Sequence, residues 1–268
     1  MKTLRFETDA RGIATLTLAR PEKRNALSSE MIAELADVAA IIATDGEIRA
    51  VVLDAEGSVF CAGGDLEWMR MQMAADVETR RREATTLANM LKALNDLPVP
   101  LIARVQGDAF GGGLGVMAIS DAVIAVETAR FGLTETRLGL IPATIGPYVL
   151  AKLGAGPARR IFTSPRIFAA SEAVSLGIAS RVVPSDALDQ AVEDEVTPYL
   201  TAAPGAVSEG KALLRRLSKP VDAKAIEASI DALVTRWSSA EAEEGTRAFF
   251  EKRPPNWVKP ASPRPSGR

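Results

Sequence analysis

The chain has 268 residues, of which 47% are apolar, and its formal net charge at pH 7 is −2. This length and composition are typical of a globular protein with a large buried core. The nearly balanced charge offers no basic surface of the kind that nucleic acids or anionic membranes require, so neither partner is expected.

The N-terminal region predicts two strands, a charged loop and a helix. Residues 3–8 and 12–18 alternate apolar and polar side chains, as strands do, on either side of a turn. Such a start is unlike a signal peptide or a membrane anchor, and we therefore expect a cytoplasmic protein. The loop "ARPEKRNALSSE" leads to a helix, for which Ser28 or Ser29 is the expected N-cap.

The middle of the chain alternates strands with helices. Strands are predicted at residues 49–53, 101–105 and 122–126. Helices are predicted to begin at Asp65, near Asp76 and in the glycine cluster that follows residue 110. This order predicts an α/β protein in which parallel strands present ligand sites at their carboxyl ends.

From about residue 201 the chain is predicted to be helical. One amphipathic helix carries an apolar stripe at helical spacing, formed by Ile226, Ile230, Leu233, Val234 and Trp237. Such a stripe needs a partner, and we expect it to pack on the core or on a neighbouring subunit. We therefore divide the chain into a core of residues 1–200 and a C-terminal helical region of residues 201–268. The Pro-rich tail after Arg253 is expected to be disordered at its end.

The chain contains no histidine, which restricts the chemistry open to it. A Ser-His-Asp triad, a Cys-His pair and an ordinary histidine zinc site are all excluded, and we predict no metal site. Cys61 is the single cysteine and has no evident base partner, so we interpret it as a packing residue. Any acid–base catalysis falls to carboxylates, lysine, tyrosine, cysteine or backbone groups.

Two glycine-rich segments, "VFCAGGDLEWM" and "GDAFGGGLGVMAISD", connect predicted strands to helices. The second lacks the Lys-Ser or Lys-Thr pair of a phosphate loop, and Val116 stands where a dinucleotide motif needs glycine. Glycine inside a helix costs roughly 0.5–1 kcal/mol relative to alanine. The glycines therefore indicate either tight packing of helix against sheet or close approach of a ligand oxygen to unpaired helix amides.

The order and spacing of five segments resemble those of the crotonase, or enoyl-CoA hydratase/isomerase, superfamily. The segments are "LARPEKRNALS", "FCAGGDL", "GDAFGGGLGVMAISDAVIA", "FGLTETRLGLIP" and "ASEAVSLGIASRVVP". The resemblance continues to "EGTRAFFEKRPPNW" and so covers nearly the whole chain. It implies a spiral of ββα units and a C-terminal helical part that joins subunits into trimers or hexamers. It also implies an acyl-CoA substrate, with coenzyme A as part of the substrate and no further cofactor.

The resemblance implies the site residues as well. The amides of Ala62 and Gly112 would bind the thioester oxygen and stabilise enolate charge, and Glu135 would act as the general acid or base. The remaining residues are implied to bind the coenzyme A part, namely Lys23, Arg24 and Ala26 near the nucleotide, and Ala62, Gly63, Gly64, Asp65 and Leu66 beside the pantetheine and thioester.

The sequence departs from the pattern of many family hydratases at Gly115. Those enzymes hold one water between two glutamates, and the first glutamate falls at this position, which leaves only Glu135. A double-bond isomerase needs a single base, and hydration can use one carboxylate if another group positions the water. A third alternative is a coenzyme A-binding protein without catalysis.

We favour a hydratase because of a finer resemblance. The segments "CAGGDLEWM" and "RLGLIPATIGPYVL" are similar to the branch that hydrates 3-methylglutaconyl-CoA and isohexenylglutaconyl-CoA, whose members also carry glycine at the position of Gly115. A branched glutaconyl substrate has a distal carboxylate, which Arg70 or Arg137 could meet. For both arginines, however, an ordinary surface charge is the favoured interpretation.

Overall fold

The computed structural model describes residues 1–218 and 221–258. The end of the Pro-rich tail, for which we predict disorder, lies outside the described residues. The strands are β1 Leu4–Thr8, β2 Ile13–Leu18, β3 Ala50–Ala55, β4 Val59–Cys61, β5 Leu101–Val105, β6 Asp108–Phe110, β7 Ala122–Val126, β8 Arg130–Gly132, β9 Phe168–Ala169 and β10 Arg181–Val183. The α-helices are α1 Ser29–Thr44, α2 Leu66–Ala74, α3 Val77–Asn95, α4 Gly112–Ile119, α5 Gly146–Leu153, α6 Ala155–Phe162, α7 Ala170–Leu176, α8 Leu188–Thr201, α9 Pro204–Leu217, α10 Ala223–Trp237 and α11 Ala240–Phe250.

The strands form two sheets. The larger has the order β1-β2-β3-β5-β7-β10 and the smaller the order β4-β6-β8-β9. Three successive strand pairs, β3/β4, β5/β6 and β7/β8, each contribute their first strand to the larger sheet and their second to the smaller one. Apart from the antiparallel pairs β1/β2 and β8/β9, neighbouring strands are parallel. The predicted α/β fold, a spiral of ββα units followed by C-terminal helices, is confirmed.

The central strands of the larger sheet, β3, β5 and β7, are predictable because burial on both faces demands continuous apolar sequence, whereas β10 was not predicted. All five residues of β7, "AVIAV", are buried, and β5 is buried at four of its five positions. The three-residue strands β4, β6 and β8 were not predicted, since each lies among glycine and polar residues that are typical of loops.

These short strands determine where the loops meet. β4, β6 and β8 are parallel neighbours and end at Cys61, Phe110 and Gly132. Because the carboxyl ends of parallel strands share one edge of a sheet, the segments that follow them leave from the same edge. Residues 62–65, residues 111–112 and residues 133–135 are therefore brought together, although they are far apart in the sequence.

The C-terminal helices lie against the core of the same chain. Helix α10 packs on α3, and its stripe of predicted apolar residues is buried, with Trp237 meeting Trp68 edge to face at 6.4 Å between ring centroids. The stripe therefore finds its partner within one subunit. The most exposed apolar side chains of this region are Leu214 and Leu217 on α9, and Leu213, Phe249, Trp257 and Val258 are exposed as well. No described helix combines the length and the apolar character needed to span a bilayer.

Candidate active site

The first candidate group is the amide of Gly112, at the start of α4. Gly111 precedes it with a positive φ of 49°, which favours glycine. The Gly111 carbonyl accepts hydrogen bonds from the amides of Leu114 and Gly115, at 2.9 and 3.2 Å. In a trans peptide the N–H points opposite to the C=O, so the Gly112 N–H is directed out of the helix.

The second predicted amide, that of Ala62, is not free, and this expectation needs correction. It donates a hydrogen bond to the carbonyl of Arg24 at 3.0 Å. The amide of Gly64 differs from that of Ala62. The carbonyl of Gly63 accepts a hydrogen bond from the amide of Leu27 at 2.8 Å, and because the N–H of a trans peptide points opposite to its C=O, the N–H of Gly64 is directed away from Leu27. Within the part of the chain that the structure describes, the Gly64 amide has no acceptor, and Gly64 is exposed. Gly64, not Ala62, therefore supplies the available donor.

The peptide between Gly63 and Gly64 lies beside the start of α4. A Cβ atom on Gly63 would be 3.6 Å from the Gly112 nitrogen, and one on Gly112 would be 3.8 Å from the Gly63 carbonyl carbon. The two free amides therefore border the same opening. The motif "FCAGGD" locates this loop in the sequence, but it does not say which of its successive amides is already paired.

Glu135 completes the constellation. It opens the short 3₁₀ helix Glu135–Leu138, which Gly139 ends in a left-handed conformation. A Cβ atom on Gly111 would lie 3.1 Å from Glu135 Oε1, so the absence of a side chain there makes room for the carboxylate. Glu135 Oε2 is buried and has no hydrogen-bond partner among the described residues. Burial raises the pKa of Glu135 from 4.5 to about 7, against the smaller lowering effect of nearby backbone amides. This carboxylate can therefore gain or lose a proton near neutrality.

The position of the missing glutamate is closed by an apolar side chain. A Cβ atom on Gly115 would lie 2.2 Å from Cγ2 of Ile145 and 2.8 Å from its Cβ. Ile145 itself is only 3% exposed and belongs to the main core. The absence of a side chain at Gly115 thus goes together with the branched side chain of Ile145, and among the described residues Ile145 occupies the place of a second acid.

The loop with Lys23 and Arg24 is held at its base by hydrogen bonds of a buried side chain, and its tip is exposed. The buried side chain of Asn25 donates to the carbonyls of Glu56 and Val59, both at 2.8 Å. Lys23 and Arg24 are exposed, and neither forms an ion pair among the residues described. Ala26 is buried in the same loop. The two cations are therefore available to phosphate groups.

Asp65 stabilises the loop beside the free amides. Its carboxylate caps α2 by accepting the amide of Glu67 at 2.8 Å, and it pairs with Arg20 at 3.1 Å. Both oxygens of the carboxylate are therefore engaged in contacts that hold the loop. Leu66 is 51% exposed and offers apolar surface next to the exposed Gly64.

The two arginines that we considered for a distal carboxylate differ in their surroundings. Arg70 lies over the ring of Phe250, with 4.5 Å between its guanidinium carbon and the ring centroid. Arg137 is exposed, and in residues 1–218 and 221–258 it has no ion-pair partner. Of the two, Arg137 is the one that is free for a ligand.

The comparison with known proteins identifies relatives along nearly the whole chain. The family model described as enoyl-CoA hydratase/isomerase matches residues 8–260. A protein of Rhodobacter capsulatus named probable enoyl-CoA hydratase is 34% identical over 260 residues, which cover 96% of this chain and 98% of that protein. The crystal structure of an enoyl-CoA hydratase/isomerase from Pseudoalteromonas atlantica aligns with a TM-score of 0.83 at 31% identity, over 96% of this chain and 100% of the other. Pseudomonas aeruginosa AtuE aligns with a TM-score of 0.78 at 36% identity, over the same shares of the two chains.

Proposed function

This chain belongs to the enoyl-CoA hydratase/isomerase family, and we propose that it is an enoyl-CoA hydratase that adds water to the double bond of an α,β-unsaturated acyl-CoA. The family implies an acyl-CoA substrate. One observation carries the assignment of the chemistry: the buried Glu135 carboxylate, with an unpartnered oxygen, lies against Gly111, directly beside the outward amide of Gly112.

In this proposal the thioester oxygen accepts hydrogen bonds from the amides of Gly64 and Gly112. As the nucleophile adds to the β-carbon, negative charge moves onto that oxygen, where preset donors stabilise it. Loss of one such donor typically costs about 2.7–4 kcal/mol of activation free energy. The unpaired amides of the two glycines support this role, since neither has to break an existing bond to bind the oxygen.

Glu135 transfers the protons. In its ionised form it accepts a proton from water while the water oxygen bonds to the β-carbon, and it then donates that proton to the α-carbon of the enolate. One O–H bond of water and the π bond of the C=C double bond break, one C–O and one C–H bond form, and Glu135 returns to its ionised form. A pKa of about 7 suits a group that must both accept and release a proton.

The closed space at Gly115 favours one alternative, an enoyl-CoA isomerase. With Ile145 filling the position of a second carboxylate, Glu135 is the single base that the described residues place at this point, and a single base suffices to move a proton across the enolate from the γ-carbon to the α-carbon. We favour hydration because of the resemblance of "CAGGDLEWM" and "RLGLIPATIGPYVL" to hydratases that also carry glycine at this position.

The same resemblance supports a branched glutaconyl-CoA as the substrate. The exposed Arg137, two residues after Glu135, is the side chain we assign to the distal carboxylate of such a substrate. We assign the binding of the coenzyme A phosphates to Lys23 and Arg24, which are exposed on a loop held by the buried Asn25.

We also propose a homotrimer or homohexamer, with residues 1–200 carrying the acyl-CoA site and residues 201–268 carrying subunit contacts. The exposed leucines of α9 support this, because monomeric proteins rarely leave a contiguous apolar patch uncovered. Leu214 is 68% and Leu217 is 75% exposed.

A substrate panel tests the function. Straight-chain, branched and carboxylated enoyl-CoA esters, with their β,γ-isomers, are incubated with the protein and followed by absorbance of the conjugated thioester and by product mass. A hydratase adds the mass of water, whereas an isomerase changes the absorbance without changing the mass. Binding of the esters with no turnover of any of them would support the non-catalytic alternative and contradict the proposal.

A further inference from the structure

We propose that the indole N–H of Trp237 is a specificity-determining hydrogen-bond donor for an acyl group that carries an oxygen beyond its β-carbon. The inference rests on the proposed function, because it places the acyl chain of the coenzyme A ester next to this side chain. The ligand class is an acyl-CoA with a carbonyl or hydroxyl oxygen along its chain.

Trp237 belongs to an apolar cluster that adjoins the candidate site. The cluster joins α2, α3, α10 and α11 to the loop that follows the 3₁₀ helix of Glu135, and it includes Trp68, Leu140 and Ile230. Trp68 connects this cluster to the free amides, since its ring lies 3.8 Å from the position of a Cβ atom on Gly64. An acyl chain held by its thioester at Gly64 would therefore meet Trp68 as the nearest apolar surface of this cluster.

The two tryptophans of the cluster differ in their polar atoms. Trp68 Nε1 donates to Glu83 Oε2 at 3.2 Å, so its hydrogen-bonding capacity is used. Trp237 is 5% exposed, its Nε1 is buried, and among the described residues that nitrogen has no acceptor. Buried indole N–H groups ordinarily have a partner, because leaving one unpaired is costly.

A ligand oxygen could accept the hydrogen bond that the Trp237 N–H lacks. The other members of the cluster are apolar, so a plain alkyl chain beside Trp237 would leave the donor unpaired, whereas an oxygen on the chain would accept its hydrogen bond. A site that has a buried donor of this kind discriminates against analogues that lack the matching acceptor.

The test measures binding of saturated acyl-CoA esters, which the enzyme cannot turn over, by calorimetry. The series compares a plain alkyl ester with esters of equal length that carry one oxo or hydroxyl group at successive carbons beyond the β-carbon. We expect at least one oxygenated ester to bind about tenfold more tightly than the alkyl ester, the size expected for one hydrogen bond to a buried donor. In Trp237→Phe this ratio should fall to near one.

Trp257→Phe is the matched control, since Trp257 is 39% exposed and lies outside the cluster, and it should keep the wild-type ratio. A second readout uses the wild-type protein. The chain has three tryptophans, so its ¹⁵N spectrum contains few indole resonances, and the Trp→Phe variants serve only to assign them. The Trp237 resonance should move downfield with an oxygenated ester and much less with the alkyl ester.

Equal affinity for alkyl and oxygenated esters in the wild-type protein, with no movement of the Trp237 resonance, would overturn the inference and leave the proposed function intact. Failure to bind any acyl-CoA ester would overturn both. An unchanged preference in Trp237→Phe would assign the preference to another group and would also refute the proposal.

Discussion

Replacing Glu135 by glutamine removes the proton carrier while keeping the shape of the side chain. We expect turnover of the best substrate in the panel to fall by about 10² or more, because general acid–base catalysis by one positioned group typically contributes about 10²–10⁴ in rate. Affinity for coenzyme A esters should change little, since the amides and the cationic loop are untouched. Wild-type activity should rise with pH and level off above about 7, since the reaction starts from ionised Glu135.

Glu135→Gln also changes the free energy of unfolding, and the raised pKa of Glu135 determines the sign of this change. Burial raises the pKa of Glu135 from 4.5 to about 7, so the folded state holds this proton more tightly than the unfolded state does. The stabilisation that results is complete below pH 4.5 and is lost as pH rises to about 7. At 1.36 kcal/mol per pKa unit, the loss amounts to roughly 3 kcal/mol at most. Glu135→Gln should therefore gain stability relative to wild type across this pH range.

Chemical denaturation from pH 4.5 to 8, with initial rates measured in parallel, checks both expectations. Glu127→Gln is the matched control, because Glu127 is exposed and its carboxylate makes no hydrogen bond within the described part of the chain. This surface change should alter stability by no more than about 0.5 kcal/mol and leave the rate unchanged. Near-normal turnover in Glu135→Gln would refute the one-carboxylate mechanism. A stability difference that does not vary with pH would refute the buried, perturbed carboxylate.

Three further predictions follow from the packing. Gly115→Glu alone should destabilise the protein, because its Cβ would meet Ile145 Cγ2 at 2.2 Å, whereas the double variant with Ile145→Gly should fold and form more hydrated product by mass. A single variant as stable as wild type would contradict this. Cys61 is 0% exposed and burial raises its pKa to about 12, so a thiol reagent should modify it only as the protein unfolds, and rapid modification of the native protein would disagree. Light scattering should give a trimer or hexamer that Leu214→Glu and Leu217→Glu dissociate, and a wild-type monomer at micromolar concentration would argue against the α9 interface.

Local patterns in the sequence predict much of the fold. The helix from Asp76 and the amphipathic helix ending at Trp237 are confirmed, because caps and apolar periodicity are encoded within a few residues. The sequence does not decide whether the apolar stripe that includes Trp237 contacts the core of its own chain or another subunit. The structure places the stripe on α3, since a helix shows which face needs a partner but not which partner it will find.

The sequence by itself determined the α/β alternation, the absence of histidine chemistry and the loop with Lys23. Through its resemblance to a family, it also assigned Glu135 and Gly112 as candidate site residues. Only the tertiary structure decided which amide beside Gly112 is free. Successive peptide groups point in opposite directions, and whether each is paired depends on the residues 24–27 that lie alongside, far away in the chain. The sequence also did not show why a side chain is absent at Gly115. The space beside it is filled by Ile145, thirty residues later in the chain, and only folding brings the two together.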